Sequence, residues 1–402
     1  MQSSRSPKDT SVKLFTSEMV GAPSLTQAAG TLIGVLSACL VNGFGMQQVS
    51  SFVVTQGLGQ ITVPVATGWE RMCVIDVAGC TDASYNGEYK LTQVSADGLR
   101  VSFPIDAPDG TVQGAAITVK LASPGWLMPF NHPDTFKAVF KPGDPRMPGA
   151  HCLQVTDGAG THANVRGYES MSAMDAGAGI FPTEAQAGTS AWPKAFATTR
   201  PARWMLIVDD MAAWVGSAPG YSSAVSNVAY AMRGFGAVLS MVPSDMHAVA
   251  LSVQAGNATS GGVAAYGCVS VASISLTNTA TWFSRTADGA TLSPPAFFST
   301  MNTASTNPVS GADPTCGAAS GIDVSRLVFT EKFYRHAANA YPRAKMPGVL
   351  HALHTAVEAV ITPGDIETIE GRAYKFFHGP SATNGSFGAA GLCAIDVEGP
   401  WR

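Results

Sequence analysis

Charge is what this chain has least of. Only 13% of its 402 residues are Asp, Glu, Lys or Arg, about half the usual share. Disorder on a large scale needs high charge and few apolar residues, yet 46% of this chain is apolar. No basic run stands out and the net charge is -4, so the electrostatic footprint of a nucleic-acid binder is missing. The longest uncharged apolar run, LTQAAGTLIGVLSACLV at 25–41, is broken by Thr, Gln, Ser and Gly and falls short of a membrane span. It also lacks the basic flank and cleavage site of a secretory signal. The seven cysteines are odd in number and never spaced as CxxC, which argues against a zinc site or a secreted disulfide framework. Cys73 and Cys80 are the one pair that could meet across a bend; small buried hydrophobes are the expected role of most. Motifs of known chemistry are missing too. GxGxxG, Walker A, GxSxG and HExxH do not occur, so no cofactor, metal or nucleophile elbow is expected.

What is present is small and turn-rich: 42 glycines and 25 prolines. A surface this poor in charge suits contact with another subunit more than contact with water, and a homo-oligomer is expected. The length implies two to four structural units.

Residues 1–13 read as a polar arm. Residues 14–45 read as a helical assembly segment, with a helix over the 25–41 run, Ser24 as N-cap and Gly43 as stop. Almost no polar face is left on that run, so neighbouring subunits are expected to cover it. From 46 to 122 the apolar period changes to two. VSSFVV, ITVPVA, RMCVIDV, EYKLTQV, LRVSFPI and AAITVKL alternate with the turn signals TQGLG, YNG, ADG and PDG. These make a small antiparallel sandwich or barrel, with Asn86-Gly87 and Asp97-Gly98 as hairpin dipeptides.

Residues 123–402 read as a larger β-rich domain. CLQVTDGAGTHANVRGY predicts a hairpin with strands at 152–156 and 161–168 about Asp157-Gly158. RWMLIVDDMAAWVG predicts another about Asp209-Asp210. Further strands are expected at 247–253, 268–276 and 326–334. A Ser/Thr/Gly-rich tract at 277–325 reads as a surface insertion. The fold class is mainly β with one buried N-terminal helix.

Chemistry has few candidates. VRGYESMSAMDAGAGIFPT, 165–183, crowds Arg166, Tyr168, Glu169 and Asp175 ahead of Gly177 and Gly179. Two carboxylates in a glycosidase flank the scissile bond, and Glu169 and Asp175 are the pair to test. Acids after a strand more often serve turns. The expected role is therefore architectural: Arg166 pairs with Glu169 or Asp175, and Gly177 and Gly179 let the loop turn. His351 and His354 sit three apart without a third ligand. Asp209-Asp210 could hold a cation at a hairpin tip, though such pairs more often just turn the chain. Trp126, Trp192, Trp204, Trp214 and Trp401 form no periodic stripe; core anchoring is expected ahead of a sugar-binding face.

Four segments together resemble one family. LFTSEMVGAPSLTQAAGTLIGVLSACLVNGFG (14–45), VRGYESMSAMDAGAGIFPT, MPGVLHALH (346–354) and AIDVEGPWR (394–402) are similar, in order, to conserved stretches of a family of tailed-bacteriophage virion structural proteins. Ala173-Met174 departs from its more acidic pattern, and 256–325 carries no likeness. The resemblance implies a non-enzymatic component of the tail: tail tip, baseplate or fibre-anchoring ring. It would be a homo-oligomer in the virion, assembled in the host cytoplasm against other tail or head–tail proteins and facing the host surface. No catalytic residue carries over from the family. A capsid decoration protein or head fibre, and a glycan-binding receptor protein, are the alternatives.

Overall fold

The structure, a computed structural model, describes residues 6–196, 198–218, 229–255, 280–290, 296–299, 329–336, 342–352, 360–383 and 386–402. The fold is mainly β, built from antiparallel sheets, with one short α-helix among the described residues, near the N-terminus. The expected strand at 268–276 and most of the 277–325 tract lie outside the described residues.

Two sheets take all their strands from residues 47–121. One pairs Gln47–Gln48, Thr118–Leu121, Val74–Ala78 and Gly87–Lys90. The other orders Gln93–Val94, Arg100–Pro104, Leu58–Thr62, Ser51–Thr55 and Gly110–Thr111. Alternation decides their faces: Ser51–Thr55 is exposed, buried, exposed, buried, exposed. Phe52, Val54, Ile61, Val101 and Phe103 point inward, and Phe103 stacks on Tyr89 of the facing sheet with centroids 4.5 Å apart. TQGLG gives the tight hairpin its composition predicts, with Gln56 and Gly57 both left-handed between paired Thr55 and Leu58. Asn86-Gly87 does not. A short 3-10 turn at Ala83–Tyr85 makes that corner, and the Asn86 side chain accepts from the Cys80 amide.

The larger sheet has 18 strands among the described residues. Its centre is Arg203–Val208, Ala212–Ala218 and Ala231–Ala237, the last two buried at every position. A strand covered on both faces cannot alternate apolar and polar residues, so it reads as a continuous small and apolar run. Register fits large residues to small ones. Trp214 lies opposite Gly234 and Met232 opposite Gly216. A Cβ on either glycine would overlap the facing side chain. Lys13–Thr16 joins this sheet beside Arg203–Val208, so the start of the expected helical segment is a strand.

The helix itself is shorter than the apolar run. It covers Thr31–Leu36 and continues as a wider turn over Ser37–Asn42. Gly43 ends it as expected, but Ser24 does not cap it. The cap arrives from the far hairpin: the Asp157 carboxylate accepts from the Leu32 and Ile33 amides at 2.7 and 3.1 Å. Lys194 then donates to the other Asp157 oxygen at 2.7 Å and to the Ala28 and Gly158 carbonyls. Both side chains of this ion pair are fully buried. Leu32, Val35, Leu36, Cys39 and Leu40 sink into the chain's own core, so the helix does not need neighbouring subunits to cover it.

The five described cysteines are buried, and Cys73 and Cys80 are not bonded to each other; Cys268 and Cys316 lie outside the described residues. All five singled-out tryptophans are buried. Each indole N–H donates to a backbone carbonyl: Trp126 to Asp209, Trp192 to Ser252, Trp204 to Pro23, Trp214 to Pro347 and Trp401 to Asp396. They anchor the core and offer no sugar-binding face. His351 closes the strand Pro342–Ala352 rather than lying on a helix; His354 lies outside the described residues.

Candidate functional site

The stretch at 165–183 begins as the returning strand of the expected hairpin. Cys152–Thr156 pairs with His162–Tyr168, placing Arg166 opposite Gln154. The chain then turns back in a second, smaller hairpin, Ser170–Ala173 with Ala176–Ala178, closed at Met174-Asp175. It projects as a two-stranded sheet of its own, mostly exposed. Its return is tied down where Gly167 and Phe181 exchange both backbone hydrogen bonds, at 2.9 and 2.8 Å. The Phe181 ring fills the space a Gly167 side chain would need.

The expected ion pairs do not form. Arg166 donates to four uncharged acceptors: the Pro182, Ala187 and Gly188 carbonyls and the Ser190 hydroxyl. It stitches the strand to the segment that follows the hairpin. Asp175 is bound by Lys137 at 2.7 Å, on a side chain 68% exposed. Such a pair is worth well under 1 kcal/mol. Glu169 is held by Arg285, whose Nε and Nη2 reach its two carboxylate oxygens at 2.5 and 2.9 Å. Gly179 is left-handed, and a Cβ there would overlap the Glu169 carboxylate. Gly177 instead makes room for the Tyr168 ring.

Glu169 is the centre of one of two charged groupings among the described residues that contain acids singled out in the sequence. Arg285 is itself propped from behind. Arg343 donates to the Arg285 carbonyl at 2.6 Å, stacks over Phe283 with its guanidinium 4.0 Å from the ring centroid, and makes a buried bidentate pair with Asp245. His247 Nδ1 lies 4.0 Å from Glu169. His151 packs edge-on against Phe181, with Nδ1 2.6 Å from the Pro148 carbonyl. That contact makes Nδ1 the protonated nitrogen and leaves Nε2 buried without a partner.

The electrostatics oppose general acid chemistry. The hydrogen bonds from Arg285 hold the Glu169 carboxyl below its usual range, whereas a carboxylic acid that donates protons near neutrality needs a raised pKa. Burial pushes His151 down, so it stays neutral. Glu169 and Asp175 bind different cations on different elements and do not face one another as a catalytic pair. Among the described residues, no three His, Cys, Asp or Glu side chains are placed to hold a metal ion.

A second group of acids sits at the other hairpin tip. Asp209 is buried and accepts from the Met211 and Ala212 amides. The Arg402 guanidinium stands 3.3 Å from its other oxygen. Arg146 chelates Asp144 and reaches Asp210 at 3.3 Å. Guanidinium groups therefore fill the place expected for a bound cation. The hydrogen bonds from Arg146 hold Asp144 well below the usual carboxylate range. Burial, then a shared hydrogen bond with Asp144, pushes Asp210 up to about 7.

This raised value has a testable sign. A carboxyl whose pKa rises on folding favours the folded state at low pH, and that contribution is lost as pH climbs from about 4 to 7. Asp210→Asn keeps a donor toward Asp144 but cannot ionise. We expect the variant to exceed the parent in stability by about 1–2 kcal/mol at pH 8, after allowing for solvent screening, and by almost nothing at about pH 3.5, below the unfolded carboxyl's pKa. Urea midpoints at the two pH values test this; equal differences at both would contradict it.

Sequence reasoning missed His247, Arg285 and Arg343 because they lie 78, 116 and 174 residues from Glu169. Compositional signal for them is weak: three isolated polar residues beside apolar strands.

No family model matches the chain, and no curated protein matches it. Among solved structures, phage phi92 endosialidase is similar over 88% of this chain and 52% of its own, at 10% identity and a TM-score of 0.18. The chain thus spans about half the length of that protein, and similarity at this level assigns neither fold nor activity.

Proposed function

We propose that this chain is a non-enzymatic structural protein of a tailed-phage virion, built into the tail as a symmetric homo-oligomer. The observation that carries the proposal is how the signature stretch spends its charges. Arg166, Glu169 and Asp175 are each bound to the chain's own framework. What remains outward is a projecting hairpin of Ser, Met, Ala and Gly with little charge, a surface suited to a neighbouring subunit. This hairpin, and not the N-terminal helix, is the assembly surface we propose. Other segments of the resemblance behave alike. Gly348 of MPGVLHALH lies against Trp401 of GPWR, so two separated motifs form one packed contact.

Fractionation of purified particles into heads and tails, with quantification of this chain, tests the reading. Recovery with tails, in a small multiple of three or six copies as ring symmetry requires, is expected. Recovery with heads at on the order of hundreds of copies would make it a decoration protein, and absence from particles would defeat the proposal.

A further inference from the structure

An open cleft of about 480 Å3 lies on the outer face of the five-stranded sheet in the small β region. That size is typical of small-ligand sites. Its floor follows from strand register. Gln93, Ser102, Gln60, Val53 and Thr111 form one cross-strand row over all five strands, and alternation turns this row away from Val101 and Phe103 in the core. Ser102 is nevertheless only 6% exposed, because it sits at the bottom of the cleft under the Thr92–Ser95 wall.

The lining contains two arginines, Arg71 and Arg100, with two amides and three hydroxyls, and no acid. Nearby acids are engaged elsewhere. Glu70 binds Lys375, and Asp97 accepts from Ser95 and the Leu99 amide in the adjacent turn. Arg71 is fixed in place: it donates to the Ile366 carbonyl and lies 3.5 Å from the Thr368 hydroxyl. Those bonds orient the head group and still leave donors on a five-donor guanidinium. Arg100 is exposed, and among the described residues no carboxylate forms an ion pair with it.

A cleft with fixed cationic charge and neutral donor–acceptor groups fits a ligand bearing both a carboxylate and hydroxyls. Guanidinium groups recognise carboxylates through paired hydrogen bonds. Amide and hydroxyl side chains can each donate and accept, as sugar hydroxyls do. No aromatic ring lines the cleft, so weak binding by a single site is expected. We propose that this cleft binds an acidic saccharide, with Arg71 and Arg100 on the carboxylate and Gln60, Gln93, Thr92 and Ser102 on the hydroxyls. The proposal stands independently of the particle assignment.

Calorimetric titration of the full chain with tetragalacturonate, its neutral methyl ester and inorganic phosphate tests it. Saturable binding of tetragalacturonate is expected, with the methyl ester and phosphate each weaker by roughly tenfold or more, the worth of one charge-assisted hydrogen bond. Arg100→Gln, on an exposed side chain, should weaken tetragalacturonate by roughly tenfold while leaving thermal unfolding nearly unchanged. Equal binding of ester and acid, phosphate binding as tight as the saccharide, unchanged affinity in Arg100→Gln, or no saturable binding would each overturn the assignment.

Discussion

Replacing Lys194 by Met is expected to cost about 3–5 kcal/mol, the penalty for leaving a buried partner charge uncompensated. Lys194 and Asp157 are both fully buried, and the lysine ammonium binds three acceptors at 2.7 to 3.0 Å. Without it, the Asp157 carboxylate keeps only the two helix amides. The stranded carboxylate is the helix cap, so the disturbance should spread to the helix, whose Leu32, Val35 and Leu36 enter the core. Adding Asp157→Asn to Lys194→Met should recover part of the loss, since the stranded charge is gone. Urea unfolding followed by far-ultraviolet circular dichroism reads both effects. A single-variant loss below about 1 kcal/mol, the range of exposed pairs, would contradict a buried pair that organises this corner.

The second large effect is expected at Gly348→Ala. Gly348 is left-handed at φ 68°, and a Cβ there would overlap the Trp401 indole. A left-handed alanine costs about 1–2 kcal/mol, and overpacking a filled site adds about 1–3 kcal/mol. Gly371 is a control: its φ is 82°, with nothing within 4 Å of an added Cβ. Gly371→Ala should show the backbone cost alone. The difference in denaturation midpoint between the variants then measures the packing of Trp401 on Gly348. Equal losses would mean that the two motif segments do not rest on one another.

Much of this architecture was legible in the chain. Apolar alternation and turn dipeptides located the small β region, and Cys152–Thr156 with His162–Tyr168 lies within a residue of expectation. Local pattern carried these because each hairpin's partners are neighbours in sequence. The helix start was not legible, because its cap comes from Asp157, 124 and 125 residues away. The small hairpin at 170–178 was read only as a turn-forming loop, since Ser, Met, Ala and Gly carry no strand preference. Arg166 misled for a related reason. Nearby acids suggested ion pairs, but the strand aims its side chain at carbonyls beyond the hairpin, and the acids meet Lys137 and Arg285 from other strands and turns. Residue types at a site can be read from sequence; which charge answers which is set by the sheet register.

In the proposed function, the signature stretch is scaffold presented to a neighbouring subunit within a tail. A reconstruction of the intact particle by electron microscopy tests it most directly. Density for this chain is expected in a symmetric ring of the tail, with the 170–178 hairpin packed against an adjacent subunit. Placement on the head surface, or a tail position with that hairpin free in solvent, would contradict it.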